Sequence, residues 1–348
     1  MPQRTSRALA AHPEDPAPLP AGIHRIALPT PFPIGRVNLY LLEGEPLTLV
    51  DAGCNTGTSL EALSGALREL GYALEDIELL LLTHEHVDHI GLTEIIAARS
   101  GCRVAAFSPL QIRFDPEGAP GDAVLARIMW GTAQLERHGY PHELAVGAQA
   151  VMYLGQALSS RPDITDPLAE GDVIRAGGRD LEVLHRPGHS LSDLVYVDRA
   201  DGVAFSGDHV LAATSPNPTL SPPLDVPRPD ETTERVRSLP LLIDSIRKTA
   251  EDGLSLMLSG HGPAVGPPAE LIAKRLTFHE RRATKIEAML SDEPQTIYEL
   301  ACRMWRGVPI LQPHLTHSEL IGHVDLLTGD GRASEVPMDD GVVGFVRG

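Results

Sequence analysis

The 348-residue sequence is poor in cysteine, in positive charge and in long apolar runs. Its three cysteines lie far apart and outside any CxxC pair, which excludes a disulfide framework and indicates reduced thiols. Only 29 Lys and Arg stand against 47 Asp and Glu, a formal charge of −18, so a polyanion or an anionic membrane meets net repulsion. No stretch approaches the roughly 18 consecutive apolar residues of a membrane span. Residues 1–22 also lack the apolar region of a secretory signal. We therefore expect a cytoplasmic protein with no membrane partner.

The pattern of apolar residues predicts a catalytic domain followed by a smaller one. Residues 1–21 are rich in proline and are interpreted as a disordered tail. From 22 to 268, strand patterns come in two batches, each containing helices, which predicts two sheets packed face to face with helices outside. Residues 108–165 break this rhythm and are interpreted as an insertion over one face of that domain. Three helical patterns and a hairpin pattern over 269–348 predict a small winged-helix-like domain.

One short segment concentrates metal-binding side chains directly after an apolar strand pattern. It reads His84, Glu85, His86, Val87, Asp88 and His89. Imidazole and carboxylate groups both bind borderline divalent ions such as zinc. His84 and His86 are two residues apart on an extended chain, so they point to the same side, while Glu85 points away. Asp88 and His89 lie where the chain turns into a helix and can face a second ion.

Three further residues stand in the same relation to an apolar strand pattern. His189, Asp208 and His261 each follow such a pattern within a glycine-containing turn. If these strands run side by side, their carboxyl ends bring the side chains to one edge of the sheets, where active sites commonly lie on loops. The sequence therefore predicts one metal centre built from distant parts of the chain.

Taken in order, the motifs THEHVDHIGL, RPGHS, SGDH and SGHG resemble the metal-binding motifs of the metallo-β-lactamase superfamily. VDAG at 50–53 resembles an early motif of that family, and the resemblance covers about residues 22–265. It implies an α/β fold, a four-layer αβ/βα sandwich, with a dinuclear metal centre. The residues that it implies for the first ion are His84, His86 and His189. Those that it implies for the second ion are Asp88, His89 and His261, with Asp208 bridging the two. Asp51 matches an aspartate that orients the site without binding metal.

The expected chemistry is hydrolysis. Two divalent ions about 3.5–4 Å apart can share a hydroxide of lowered pKa, which attacks a carbonyl carbon or a phosphorus atom. Asp88 is expected to orient this nucleophile and is the candidate catalytic residue. Zinc, two ions per chain, is the expected cofactor, although His/Asp sites of this kind also take iron or manganese.

The resemblance extends to a branch of the family. A bridging Asp208 with a final His261 resembles the glyoxalase II branch, which implies hydrolysis of a thioester or related ester of a small molecule. The β-lactamases of the superfamily have a cysteine where Asp208 stands, which argues against a drug-hydrolysing role.

Other functions remain open at this point. The winged-helix pattern also resembles a group that includes single-strand endoribonucleases. Residues 279–348, however, carry seven Lys and Arg against eleven Asp and Glu, which argues against nucleic acid as a partner. The alternatives are such an endoribonuclease, a lactonase or β-lactam hydrolase with the same centre, and a metal-binding regulatory protein. The oligomeric state, a homodimer included, is open.

Overall fold

The computed structural model describes residues 8–9, 12–114 and 121–348. Its first sheet has six strands in the order β1-β2-β3-β4-β5-β6. The strands are β1 (Ile23–Leu28), β2 (Val37–Leu42), β3 (Thr48–Val50), β4 (Leu79–Leu81), β5 (Arg103–Phe107) and β6 (Asp166–Leu168). The first three form an antiparallel meander, and β3 to β6 run parallel to one another.

The second sheet has five strands in the order β11-β10-β9-β8-β7. They are β7 (Val173–Ala176), β8 (Arg179–His185), β9 (Leu194–Asp198), β10 (Val203–Gly207) and β11 (Leu256–Ser259). Neighbouring strands are antiparallel except β10 and β11, which are parallel. A separate two-stranded sheet pairs β12 (Ala333–Pro337) with β13 (Val343–Arg347) near the C-terminus.

The helices lie outside and beyond the two large sheets. They are α1 (Gly57–Glu69), α2 (Val87–Ile90), α3 (Thr93–Ser100), α4 (Leu110–Arg113), α5 (Asp122–Arg137), α6 (His142–Gly155), α7 (Ser238–Glu251), α8 (Ala269–Glu287), α9 (Ile297–Met304), α10 (Val308–Leu311) and α11 (Pro313–Gly329). None of the helices in the described ranges is long and apolar enough to cross a bilayer.

Successive side chains of a strand point to opposite faces of its sheet and enter different hydrophobic cores. The cores therefore separate the layers of sheet and helix. On β2, Leu39 and Leu41 pack into a core shared with α1 and α3, whereas Tyr40 packs into the core between the two sheets. On β9, Val195 enters a core shared with α7 and α8, whereas Tyr196 faces the first sheet. Each large sheet is thus covered on both faces. The predicted αβ/βα sandwich is confirmed.

Part of residues 1–21, which the sequence predicts as a disordered tail, contacts the first sheet. The Asp15 carboxylate accepts two hydrogen bonds from the Arg25 guanidinium, at 2.8 and 2.6 Å, and one from the Ala264 N–H at 2.9 Å. Because Arg25 is buried on β1, its charge needs a paired carboxylate, and Asp15 supplies it. The Ala27 N–H also donates to the Ala8 carbonyl. Residues 1–7 and 10–11 of the expected tail lie outside the described residues.

The insertion packs against the C-terminal helices. Leu135 and Tyr140 from the insertion share one core with Leu300, Leu320 and Val324 from α9 and α11. The sequence gives no clear signal for α6, because its buried residues are only the small alanines 145 and 148. Helix α7 begins at Ser238, so Pro240 stands in its first turn, where proline is tolerated.

Candidate metal centre

The predicted metal-binding side chains meet at one edge of the sandwich. His84 and His86 follow β4, and α2 turns Asp88 and His89 toward the same point. The other three members, His189, Asp208 and His261, follow the carboxyl ends of β8, β10 and β11. All seven are buried or nearly so. The juxtaposition that the sequence predicts is therefore present.

Short distances divide the seven side chains into overlapping groups. Three sets have ligand atoms that all lie within 4.8 Å of one another. They are His84 with His86 and His189, His84 with His89 and Asp208, and Asp88 with His89 and His261. The first and last sets are those implied for the two ions.

Asp208 lies between the first and last of these sets. Its Oδ2 is 3.6 Å from Nε2 of His189 and 3.5 Å from Nε2 of His261. Its Oδ1 is 3.5 Å from Nε2 of His89. A carboxylate in this position can contact a cation held by either set.

Four of the polar atoms that face the centre lack protein partners. Nε2 of His89, His189 and His261 and Oδ1 of Asp208 are buried and have no hydrogen-bond partner among the described residues. Unpartnered buried polar atoms carry a large desolvation cost, which a bound cation removes. The donor set of imidazoles and carboxylates fits a divalent transition metal.

The opposite ring nitrogens of these histidines are fixed by acceptors. Nδ1 of His189 donates to the Asn217 carbonyl, and Nδ1 of His261 donates to the Arg36 carbonyl, each at 2.8 Å. Nδ1 of His89 lies 2.8 Å from a carboxylate oxygen of Asp51. A proton held on Nδ1 leaves Nε2 free to bind an ion and fixes the ring orientation.

Asp51 connects two strand ends beneath the centre. Besides contacting His89, its carboxylate accepts hydrogen bonds from the Thr83 N–H at 2.8 Å and the Thr83 hydroxyl at 2.9 Å. Asp51 adopts a left-handed backbone conformation with φ 63°, which aspartate tolerates better than most residues. It belongs to none of the three sets of clustered ligand atoms.

Glycine is required where β11 approaches the centre. A Cβ atom at Gly260 would lie 2.5 Å from Oδ1 of Asp208 and 2.7 Å from Cε1 of His89. Because Gly260 has no side chain, the chain can pass close to Asp208 and His89 and place His261 beside them.

The electrostatics of the two ligand sets differ. Burial lowers the pKa of His89 and His261, but carboxylates, Asp51 and Asp208 for His89 and Asp208 and Asp88 for His261, raise it more. The first set suits metal binding directly. Burial lowers the pKa of His84 and His189, and burial together with the charge of His189 lowers the pKa of His86 to about 4. These imidazoles are therefore neutral near pH 7, as metal ligation requires. Burial raises the pKa of Asp208, but His261 and His89 lower it more, so this carboxylate is ionised.

Glu85 is buried between the two loops that carry the first set. Its Oε2 accepts hydrogen bonds from the hydroxyls of Ser190 and Ser192, and the Glu85 N–H donates to Ser192 Oγ at 3.3 Å. Its Oε1 is 3.5 Å from Nε of Arg113. Burial raises the pKa of Glu85, but Arg113, His86 and both serines lower it further, to about 2. The side chain does point away from the ligands, as predicted, and it links their loops.

Other histidines lie outside the centre. His185 stacks on Phe107 with ring centroids 4.0 Å apart, and Nε2 of His209 lies 2.8 Å from the Thr249 hydroxyl. In the insertion and the C-terminal region, His317 contacts His138 through ring nitrogens 2.9 Å apart. No further cluster of metal-binding groups occurs within residues 8–9, 12–114 and 121–348.

Comparison with known proteins places this geometry in a family. A model described as the metallo-beta-lactamase superfamily matches residues 33–261. A probable metallo-hydrolase of Bacillus subtilis, YqjP, is 30% identical over 309 residues, which cover 88% of this chain and 92% of that protein. A hydroxyacylglutathione hydrolase of Cereibacter sphaeroides is 29% identical over 147 residues, 42% of this chain and 38% of the relative.

Solved structures show the same fold. A metallo-beta-lactamase family protein of Thermus thermophilus superposes with a TM-score of 0.77 at 25% identity, covering 95% of this chain and all of that one. A beta-lactamase domain protein of Burkholderia ambifaria also gives 0.77, at 24% identity, over 96% of this chain and 94% of that one. With its motifs, its ligand geometry and these similarities, the chain belongs to the metallo-beta-lactamase superfamily, as a metallo-hydrolase homologue.

Proposed function

We propose that this protein is a dinuclear metal-dependent hydrolase that acts on a thioester or related ester of a small molecule. The observation that supports it most is Asp208, whose two oxygens face both sets of histidines while the Nε2 atoms around it lack partners. A single-metal site would not require an acceptor placed between two sets.

The ligand roles follow from this geometry. His84, His86 and His189 would hold one ion. Asp88, His89 and His261 would hold the other, with Asp208 between them. When bound, two such ions supply Lewis acidity, which activates water at neutral pH and stabilises developing oxyanion charge. Zinc suits this donor set, and iron and manganese are the other candidates.

Asp88 is the proposed catalytic residue of the chain. Its Oδ2 lies 3.3 Å from Nε2 of His261, and its side chain keeps 11% of its surface exposed. Burial raises its pKa, but His89 and His261 lower it more, so Asp88 is ionised and accepts hydrogen bonds. It can therefore orient an attacking water.

The same argument favours a thioester. A thiolate leaves without prior protonation because thiols have a pKa of about 8.5, whereas an amine leaving group needs a proton donor. Both carboxyl groups at the centre, Asp88 and Asp208, are held ionised by histidines and are poor donors. The partial match to hydroxyacylglutathione hydrolases supports the same substrate class, since an acylglutathione is a thioester.

The RNA alternative receives less support. In the C-terminal region, Nη1 of Arg282 is 3.1 Å from a carboxylate oxygen of Glu319, and its guanidinium lies over the rings of Phe278 and Trp305. These contacts give it a structural role, and the net charge of −4 over residues 279–348 opposes a polyanion.

The test is a panel assay with metal-loaded protein. We expect turnover of a thioester, its loss on chelation, and its loss in Asp88→Ala with an unchanged circular dichroism spectrum and melting curve. Lactone, β-lactam and single-stranded RNA complete the panel. Cleavage of RNA alone, or full thioester turnover in Asp88→Ala, would contradict the proposal.

A further inference from the structure

Two arginines of the insertion have buried N–H groups without partners. Nη1 of Arg113 and both Nε and Nη1 of Arg127 are shielded from solvent and have no hydrogen-bond partner among the described residues. Buried donors are normally satisfied by protein, water or a bound ion, because an unsatisfied donor is costly. These three donors therefore indicate a group that the side chains of residues 8–9, 12–114 and 121–348 do not supply.

Both arginines lie beside the metal centre. Nε of Arg113 is 3.5 Å from Oε1 of Glu85, which stands in sequence between two proposed ligands. Nη2 of Arg127 donates to the Val226 carbonyl at 3.0 Å, on the proline-rich loop 215–229. The same loop brings the Thr219 hydroxyl within 3.4 Å of Nε2 of His86. The two guanidinium groups thus lie between the 84–89 segment, which carries proposed metal ligands, and the 215–229 loop, which contacts His86.

Their charges are not balanced by the contacts around them. Glu85 is the acid that faces both arginines, and its other oxygen is already engaged by Ser190 and Ser192. Burial, and then the charge of Arg113, lower the pKa of Arg127 to about 9. Two guanidinium groups facing one carboxylate leave an excess of positive charge in a chain whose formal charge is −18.

The geometry points to an oxyanion subsite formed by Arg113 and Arg127, which binds a carboxylate or phosphate group of the substrate next to the metal centre. This inference rests on the proposed hydrolase function. Guanidinium groups bind carboxylate and phosphate through paired N–H donors, which fits the unpartnered atoms. Arg113 retains 21% of its side-chain surface, so this member of the pair meets solvent. The subsite would select anionic substrates.

The test compares matched anionic and neutral thioesters with the metal-loaded full chain. Succinyl and succinamoyl thioesters of N-acetylcysteamine differ only in a carboxylate and a carboxamide, which tests an anion on the acyl side. Acetyl-coenzyme A and acetyl-N-acetylcysteamine test phosphates on the leaving group. In at least one pair we expect a kcat/KM about tenfold higher for the anionic member, the effect of one charge-assisted hydrogen bond.

Substitution of each arginine tests whether the preference for the anionic thioester comes from Arg113 and Arg127. In Arg113→Gln and Arg127→Gln, the ratio of kcat/KM between the anionic and the neutral member of the pair should fall to about one. Arg103→Gln is the control, because Arg103 is exposed at the opposite end of β5 and pairs with Asp166. Ordered water on the same N–H groups predicts equal rates for both members of each pair, and that result would overturn the subsite while leaving the hydrolase proposal intact.

A binding measurement decides the matter if no thioester is hydrolysed. Calorimetric titration of the full chain with succinate and with inorganic sulfate should show binding that Arg127→Gln weakens at least tenfold and Arg103→Gln does not. Equal binding in all three proteins, or none in the unsubstituted chain, would overturn the subsite.

Discussion

Glu85 offers a test of how the first ligand set is held together. Its carboxylate joins the loop of His84 and His86 to the loop of His189 through Ser190 and Ser192. The change is Glu85→Ala, which removes the acceptor of both hydroxyls and leaves the ligands themselves intact. We predict weaker binding of the first ion and a smaller effect on the second.

The magnitude follows from the contacts that are lost. Hydrogen bonds to an ionised group contribute about 1.5–3 kcal/mol each. Ser190 Oγ and Ser192 Oγ are 3.0 Å apart and remain partners for each other, which offsets part of this loss. A net destabilisation of about 2–4 kcal/mol and a loss of about 10–100-fold in affinity at the first site are expected, as for other groups that orient metal ligands.

The assay is competition between the protein and a zinc chelator, analysed for two sites. His261→Ala removes a ligand of the second set. The binding step that remains in the competition curve of this variant belongs to the first site. Glu85→Gln should lie between Glu85→Ala and the unsubstituted chain, because the amide oxygen is a weaker acceptor and its NH₂ group repels Arg113. Glu94→Gln, an exposed change on α3, is the charge-matched control.

Unchanged affinity at both sites in Glu85→Ala would refute the reasoning, even if the melting temperature fell. An equal loss at both sites would also contradict it, because Asp51 and the Arg36 carbonyl hold ligands of the second set independently of Glu85.

Three further predictions concern the backbone, the N-terminal segment and the metal. Gly260→Ala should abolish stoichiometric metal binding through the close contact with Asp208, measured by metal analysis, whereas Gly147→Ala, where a Cβ meets nothing within 4 Å, should not. Asp15→Asn should lower the free energy of unfolding by about 1–2 kcal/mol at pH 7. Arg25 and the Ala264 N–H hold the pKa of Asp15 below its ordinary value against burial, so denaturation curves should converge with the unsubstituted chain as the pH falls through that lowered pKa. Removing metal with a chelator should lower stability by about 2.7 kcal/mol for each of the two ions, relative to protein held at a free ion concentration a hundred times Kd; an unchanged melting temperature would contradict it.

The metal-binding side chains were predictable from sequence because each follows an apolar strand pattern. Strands β8, β10 and β11 run in the same direction, so their carboxyl ends, and with them His189 and His261, lie at one edge of the second sheet. The glycines next to Asp208 and His261, Gly207 and Gly260, are also visible in the sequence, because a side chain at either position would collide with the centre. The local sequence pattern and the sheet topology together predict the site.

Apart from Asp51, the groups that orient these ligands were not predictable in the same way. The acceptors for His189 and His261 are backbone carbonyls of Asn217 and Arg36, which any residue type supplies. The serine partners of Glu85 lie more than a hundred positions away. The Asp15–Arg25 pair and the packing of the insertion on the C-terminal helices likewise depend on tertiary contacts, which periodicity does not reveal.

Metal content of the purified full chain tests the central claim most directly. Elemental analysis should find about two divalent transition-metal ions per chain, falling to about one in His189→Ala or His261→Ala and to none in the double variant. A chain that holds no stoichiometric metal after reconstitution, or one whose metal content is the same in the double variant, would contradict the account.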